Sequence, residues 1–238
     1  MKKIVCENYD EVSRVAADFV GAQLKSCPQS VFGLPTGGTP VGMYKELVRR
    51  SNAGELDFSQ AISFNLDEYY PIKRDHPQSY YTFMMENLFG KVKFKSFDIP
   101  NGETDDIDKE LSRYEAAIKA AGGIDLQVLG IGVNGHIGFN EPGDYYTLSS
   151  RHTGLADSTI KANSIYFPEG EKQPTTALTM GIGTIFCAKK IIILISGKNK
   201  AEITKKLFDG KIYPDVAASF FLLHNDFTII LDKDAAGQ

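Results

Sequence analysis

The chain predicts an α/β fold in which stacked βα units surround a mostly parallel sheet. Three observations predict it. Short β-branched runs alternate with stretches of helical periodicity. Ile191–Ile195 is apolar on both faces, as a central strand of a parallel sheet must be. Gly122–Gly123 and Gly210 stand where helices stop. In order, the strands are expected near Lys3–Cys6, Ser30–Leu34, Ala61–Leu66, Leu126–Ile131, Lys190–Ile195 and Phe227–Leu231. Between the first two, Asp10–Lys25 sets Val12, Val15, Ala16, Phe19, Val20 and Leu24 on one helical stripe. Helices are also expected over Val41–Arg50, Ser79–Leu88, Asp106–Ala121, Ala177–Ile185 and Asn199–Phe208. With no repeat, low-complexity tract or linker, residues 1–238 read as one domain.

Composition narrows the partners. A formal charge of −4 offers no basic surplus for a nucleic acid or an anionic membrane surface. No apolar stretch reaches the length of a membrane span, and the apolar part of the N-terminus is too short for a signal peptide. Cys6, Cys27 and Cys187 are odd in number and in no ligand spacing, so they are expected to be reduced core thiols of a cytoplasmic protein.

Four segments at strand ends carry chemistry. Gly33-Leu-Pro-Thr36-Gly37-Gly38-Thr39-Pro40 joins a strand to a helix, and such a turn presents amides and a helix N-terminus to an anion or sugar. The ending of a Walker loop is missing. In Phe64-Asn-Leu-Asp67-Glu68-Tyr-Tyr70 two carboxylates fall where the strand ends, and one in a partly dry pocket could act as a general base. A solvated strand cap is the plainer alternative. Ser79, shortly after, suits a helix N-cap or a wall of the site.

Gly130-Ile-Gly-Val-Asn134-Gly-His136-Ile-Gly-Phe-Asn-Glu141-Pro142 mimics a dinucleotide fingerprint. That motif has to open a helix. The glycine and proline that follow forbid one, so no nicotinamide or flavin cofactor is expected. The histidine and the carboxylate five residues on instead suggest an acid–base pair. Ser196-Gly-Lys198-Asn-Lys200 ends the next strand, and Lys200 is the lysine placed to reach the anion loop.

Together LPTGGTP, FNLDEYY, HPQSYY, LGIGVNGHIGFNEP, TTALTMGIGTI and SGKNKAE resemble the glucosamine-6-phosphate deaminase family over nearly the whole chain. The resemblance implies a Rossmann-like sheet with helices on both faces, similar to ribose-5-phosphate isomerase and the coenzyme A transferases. It implies conversion of glucosamine 6-phosphate and water to fructose 6-phosphate and ammonia, without metal or organic cofactor. Asp67 would move a proton between C2 and C1. His136, oriented by Glu141, would open the sugar ring. Thr36, Gly37, Gly38, Thr39, Glu68 and Lys200 would bind the substrate and its phosphate.

The sequence departs from the family at three places. Asn134 stands where members often have aspartate, and its amide is expected to bond the imidazole. Ile165 replaces a phosphate-binding arginine, with Arg151, His152 and Lys161 as possible substitutes. The loop Asp144–Ser150 is about two residues longer than usual and carries Tyr145–Tyr146. The last two departures, with Ala218–His224, look like the galactosamine-6-phosphate relatives, which differ in substrate at C4. A 6-phosphogluconolactonase on the same fold and a non-catalytic sugar-phosphate sensor are the remaining alternatives. Thr153–Leu155 supplies no basic group of the kind that binds an allosteric activator in hexameric relatives. Hyperbolic kinetics and a monomer or small homo-oligomer are expected.

Overall fold

The computed structural model describes residues 1–164, 167–168 and 170–238; Ile165 lies outside them. Its main sheet has seven parallel strands: β1 (Lys2–Cys6), β2 (Val31–Leu34), β3 (Ile62–Asn65), β5 (Ser96–Asp98), β6 (Leu126–Gly130), β9 (Lys190–Ile195) and β10 (Phe227–Asp232). Their spatial order is β1-β10-β9-β6-β2-β3-β5. Period-two alternation in the strands divides the core. Ile191, Ile193 and Ile195 pack under the helices α4 (Ile107–Ala120), α6 (Ile182–Phe186) and α7 (Ala201–Phe208). Ile192 and Leu194 face α1 (Tyr9–Ser26), α2 (Val41–Asn52) and α3 (Tyr80–Met84) on the other side. A strand buried on both faces can do without polar positions, which is why this run reads as unbroken isoleucine and leucine.

Chain order reverses between β2 and β6: from β2 the strands step to one edge through β3 and β5, and from β6 to the other through β9 and β10. The loops leaving β2 and β6 therefore diverge, and they open a crevice at the carboxyl end of the sheet.

A second layer corrects the sequence reading. β4 (Asp67–Tyr70), β8 (Thr176–Thr179) and β7 (Arg151–Gly154) form a three-stranded antiparallel sheet. Asp67 and Glu68 thus open a new strand directly after β3, where a loop was expected. The helix expected over Ala177–Ile185 is instead β8 followed by the short α6. Leu178, Ile182 and Ile185 imitate a helical stripe, but β-branched Thr176 and Thr179 favour a strand and Gly181 caps the helix that follows. The expected helix Ser79–Leu88 is α3 continued by a π-helical turn, Met85–Phe89, and Ser79 Oγ caps it by accepting from Thr82 N at 3.0 Å. The layer's short helix α5 (Asp157–Asn163) lies between β7 and β8.

All three cysteines are free, yet only Cys6 is in the core; Cys27 and Cys187 are exposed. Among the described residues no helix is long and apolar enough to cross a membrane.

Candidate active site

A cavity of about 410 Å³ occupies the crevice at the reversal point. Four strand-end segments line it: Pro35–Thr39 after β2, Leu66–Asp67 after β3, Leu129–Asn134 with His136 after β6, and Asn199–Lys200 after β9. The second layer supplies a wall through Ser158, Thr159 and Asn163 of α5.

The first loop is held from behind. Tyr44 Oη donates to the Pro35 carbonyl, and Tyr9 Oη donates to the Gly38 carbonyl at 3.2 Å while accepting from Gly42 N at 2.8 Å. Gly37 has φ +92°, a conformation that a side chain would strain, and it opens onto empty space. The twelve-residue α2 follows with its N-terminus at this loop, giving an anion the favourable end of the helix dipole.

Asp67 is buried at the mouth of β4. Its carboxyl is pushed up to about 8, first because burial disfavours the charge and second because Glu68 adds a like charge. Gly138, at φ +57°, brings the histidine loop against it: a Cβ there would stand 3.0 Å from Asp67 Oδ2. Gly132 makes room for the imidazole itself, since a Cβ at that position would lie 2.3–2.6 Å from three His136 ring atoms. His136 Nδ1 stands 3.3 Å from Glu141 Oε2, outside hydrogen-bonding geometry, and this buried nitrogen has no hydrogen-bond partner.

Glu141 is held by other donors, Asn134 Nδ2 on Oε2 at 3.0 Å and Thr159 Oγ1 on Oε1. Burial opposes its charge, but the contacts from His136, Thr159 and Asn134 outweigh burial and hold the carboxyl below its ordinary value. Lys200 Nζ donates to the Ile131 carbonyl at 2.7 Å, and burial lowers its pKa. Asp232, at the end of β10, accepts from Ser196 Oγ and from Gly197 N and so fixes the turn that delivers this lysine. Among the described residues Lys200 is the one basic side chain lining the cavity apart from His136.

Of the residues singled out from sequence, Thr36, Gly37, Gly38, Thr39, Asp67, Asn134, His136 and Lys200 line this one cavity, and Glu141 backs it. Glu68 does not line it. Its carboxylate accepts from the amides of Tyr69, Tyr80 and Tyr81 at 2.8–2.9 Å, so it anchors the start of α3 and is corrected from ligand contact to structural cap. Burial pushes its carboxyl up to about 7 against the pull of the three amides. Asn134 bonds Glu141 and, through Oδ1, the His136 backbone amide at 3.2 Å; it does not bond the imidazole. None of the possible arginine substitutes reaches the cavity. Arg151 donates to Asn140 Oδ1 at 2.6 Å, His152 packs edge-on against Tyr70, and Lys161 is exposed. The question raised at Ile165 itself lies outside the described residues.

The family model for glucosamine-6-phosphate isomerases/6-phosphogluconolactonase matches residues 7–225. The chain belongs to that family. The glucosamine-6-phosphate deaminase of Clostridium novyi (strain NT) is 51% identical over 240 residues, covering 100% of both chains. That of Thermoanaerobacter sp. (strain X514) is 49% identical, covering 99% of this chain and 94% of its own. A solved structure described as a monomeric glucosamine-6-phosphate deaminase superposes with a TM-score of 0.95 at 43% identity, over 100% of this chain and 99% of that one. A 6-phosphogluconolactonase from Thermotoga maritima shares the fold, with a TM-score of 0.75 at 18% identity over 97% of this chain and 99% of its own.

Within this family frame the cavity also holds residues that sequence reasoning missed. Tyr80 lies over Phe139 with ring planes 3° apart, and Asn163 Nδ2 donates to Tyr69 Oη at 2.8 Å. HPQSYY had drawn attention to Tyr80 without a role. Nothing in the local pattern marked Ser158, Thr159 or Asn163, because a seven-residue helix shows too little periodicity to be seen.

Proposed function

We propose that this chain converts glucosamine 6-phosphate and water to fructose 6-phosphate and ammonia. The observation that carries the reading is the meeting of a high-pKa carboxyl, an imidazole and a glycine-rich anion loop with its lysine on one hexose-sized cavity. The close relatives bear the same activity in their names. The 6-phosphate sits on the Gly37–Thr39 amides and Lys200. His136 carries a proton from the C1 hydroxyl to the ring oxygen, and the ring opens. The C1 carbonyl then acidifies C2–H; Asp67 removes that proton and returns it at C1 through an enediol-type intermediate. C2 is left as an imine, which takes up water and releases ammonia. Binding energy from the remote phosphate positions the reacting carbons.

Glucosamine is favoured over galactosamine as the substrate. The protein works in the cytoplasm as a single domain, a monomer or small homo-oligomer. Incubating purified protein with each epimeric amino-sugar phosphate, with ammonium and ketose phosphate both measured, tests the reading. Faster turnover of glucosamine 6-phosphate is expected. A higher rate on the galactosamine epimer reverses the preference, and acid release from 6-phosphogluconolactone without ammonium from either sugar overturns the reaction.

A further inference from the structure

We infer that Thr159 is a positioning residue for the acid–base pair, gripping Glu141 from the cavity wall so that the carboxylate stays oriented beside His136. The inference rests on the deaminase reading for its kinetic consequences, though not for its geometry.

Glu141 has two oxygens and two fixed donors. Asn134 Nδ2 takes Oε2 from within the histidine's own loop, whereas Thr159 Oγ1 takes Oε1 from α5, eighteen residues further on in the chain. Thr159 is buried, and its helix belongs to the second layer, so it is the clamp that ties the wall to the loop. Ser158, Thr159 and Asn163 face the same cavity from that helix, and a sugar pressing on the wall therefore presses on the carboxylate's support. The titratable groups facing Glu141 are His136 and, further off, Tyr146, whose hydroxyl is pushed up first by burial, then by the Asp215 charge and last by that of Glu141. Removing the Thr159 donor leaves one carboxylate oxygen unpaired. That concentrates negative charge toward the imidazole and loosens its orientation.

Thr159→Val keeps the shape and deletes the hydroxyl; Thr159→Ser keeps the hydroxyl. The valine variant is expected to lose about tenfold or more in kcat, as the loss of one hydrogen bond to a charged group implies. Its KM should stay within about twofold, since a positioning contact acts on the chemical step. Its kcat–pH profile should move to higher pH, and the serine variant should return both toward the parent. Histidine-ring NMR of the free protein, with His136 assigned by His136→Asn, should show the imidazole titrating at higher pH in the valine variant alone. Equal losses in both variants, an effect confined to KM, or an unmoved His136 titration overturns the inference. The ring titration needs no turnover. If the parent chain releases no ammonium, the deaminase reading fails while the clamp is still judged. Should the valine variant not fold, the serine variant and Thr159→Ala are compared by the same titration, with only the alanine expected to shift.

Discussion

To accept a proton from C2, Asp67 must be ionised, and its surroundings resist that. With its carboxyl pushed up to about 8 by burial and by Glu68, the free protein carries mostly the protonated form near neutrality. Because kcat/KM reports the free enzyme, it should climb as pH rises through about 8 on its acid side. A profile flat from about pH 6 to about 9 would refute Asp67 as the base. Asp67→Asn should lower turnover at least ~100-fold while leaving sugar-phosphate binding intact, as calorimetry would show. The same residue governs stability. Its folded pKa lies above the unfolded value, so the native state binds the proton more tightly and stability declines as pH rises from about 4 to about 8. The asparagine variant escapes that decline. Its Tm should exceed the parent's by several degrees near pH 9, at about 2–4 °C per kcal/mol for a chain of this size, and by little near pH 4. An equal difference at both pH values would mean that the gain does not come from ionisation.

Elements position these groups with little slack. The imidazole lies in the space a Cβ on Gly132 would fill. Gly132→Ala should therefore displace the ring and reduce turnover severely, while circular dichroism stays that of the parent; normal activity in a folded alanine variant would show that the ring has room. The central strand β9 was legible because it is a β-branched run closed by a turn signal, and it matched residue for residue. The antiparallel layer was not. Its strand β4 begins Asp-Glu and is a strand through its pairing with β8, more than a hundred residues away, and β7 in turn pairs only with β8. The site's loops were legible for a related reason: their glycines, histidine and carboxylates fall together at the ends of strands that could be placed from sequence. Glu68 shows where that logic stops. Its neighbour Asp67 points to the cavity while it turns to the α3 amides, and nothing in an Asp-Glu pair says which will do which.

At the scale of the molecule, the reversal of strand order makes the site a property of the whole sheet. Segments from residue 35 to residue 200 meet there. With no basic group over Thr153–Leu155 to hold an anionic activator, the rate curve should be hyperbolic and unaffected by an acetylated amino-sugar phosphate. Initial-rate measurements with light scattering alongside would check this; sigmoidal rates relieved by that compound would contradict it.

The antiparallel layer matters here for a reason beyond shape. A designer who wished to retarget the enzyme to another hexose would choose α5, since it faces the cavity and stands apart from the floor of glycines. But α5 also carries the hydroxyl that steadies Glu141. Any transplant of that helix imports a new grip on the carboxylate, so altered sugar preference and altered proton transfer should arrive together in such chimaeras.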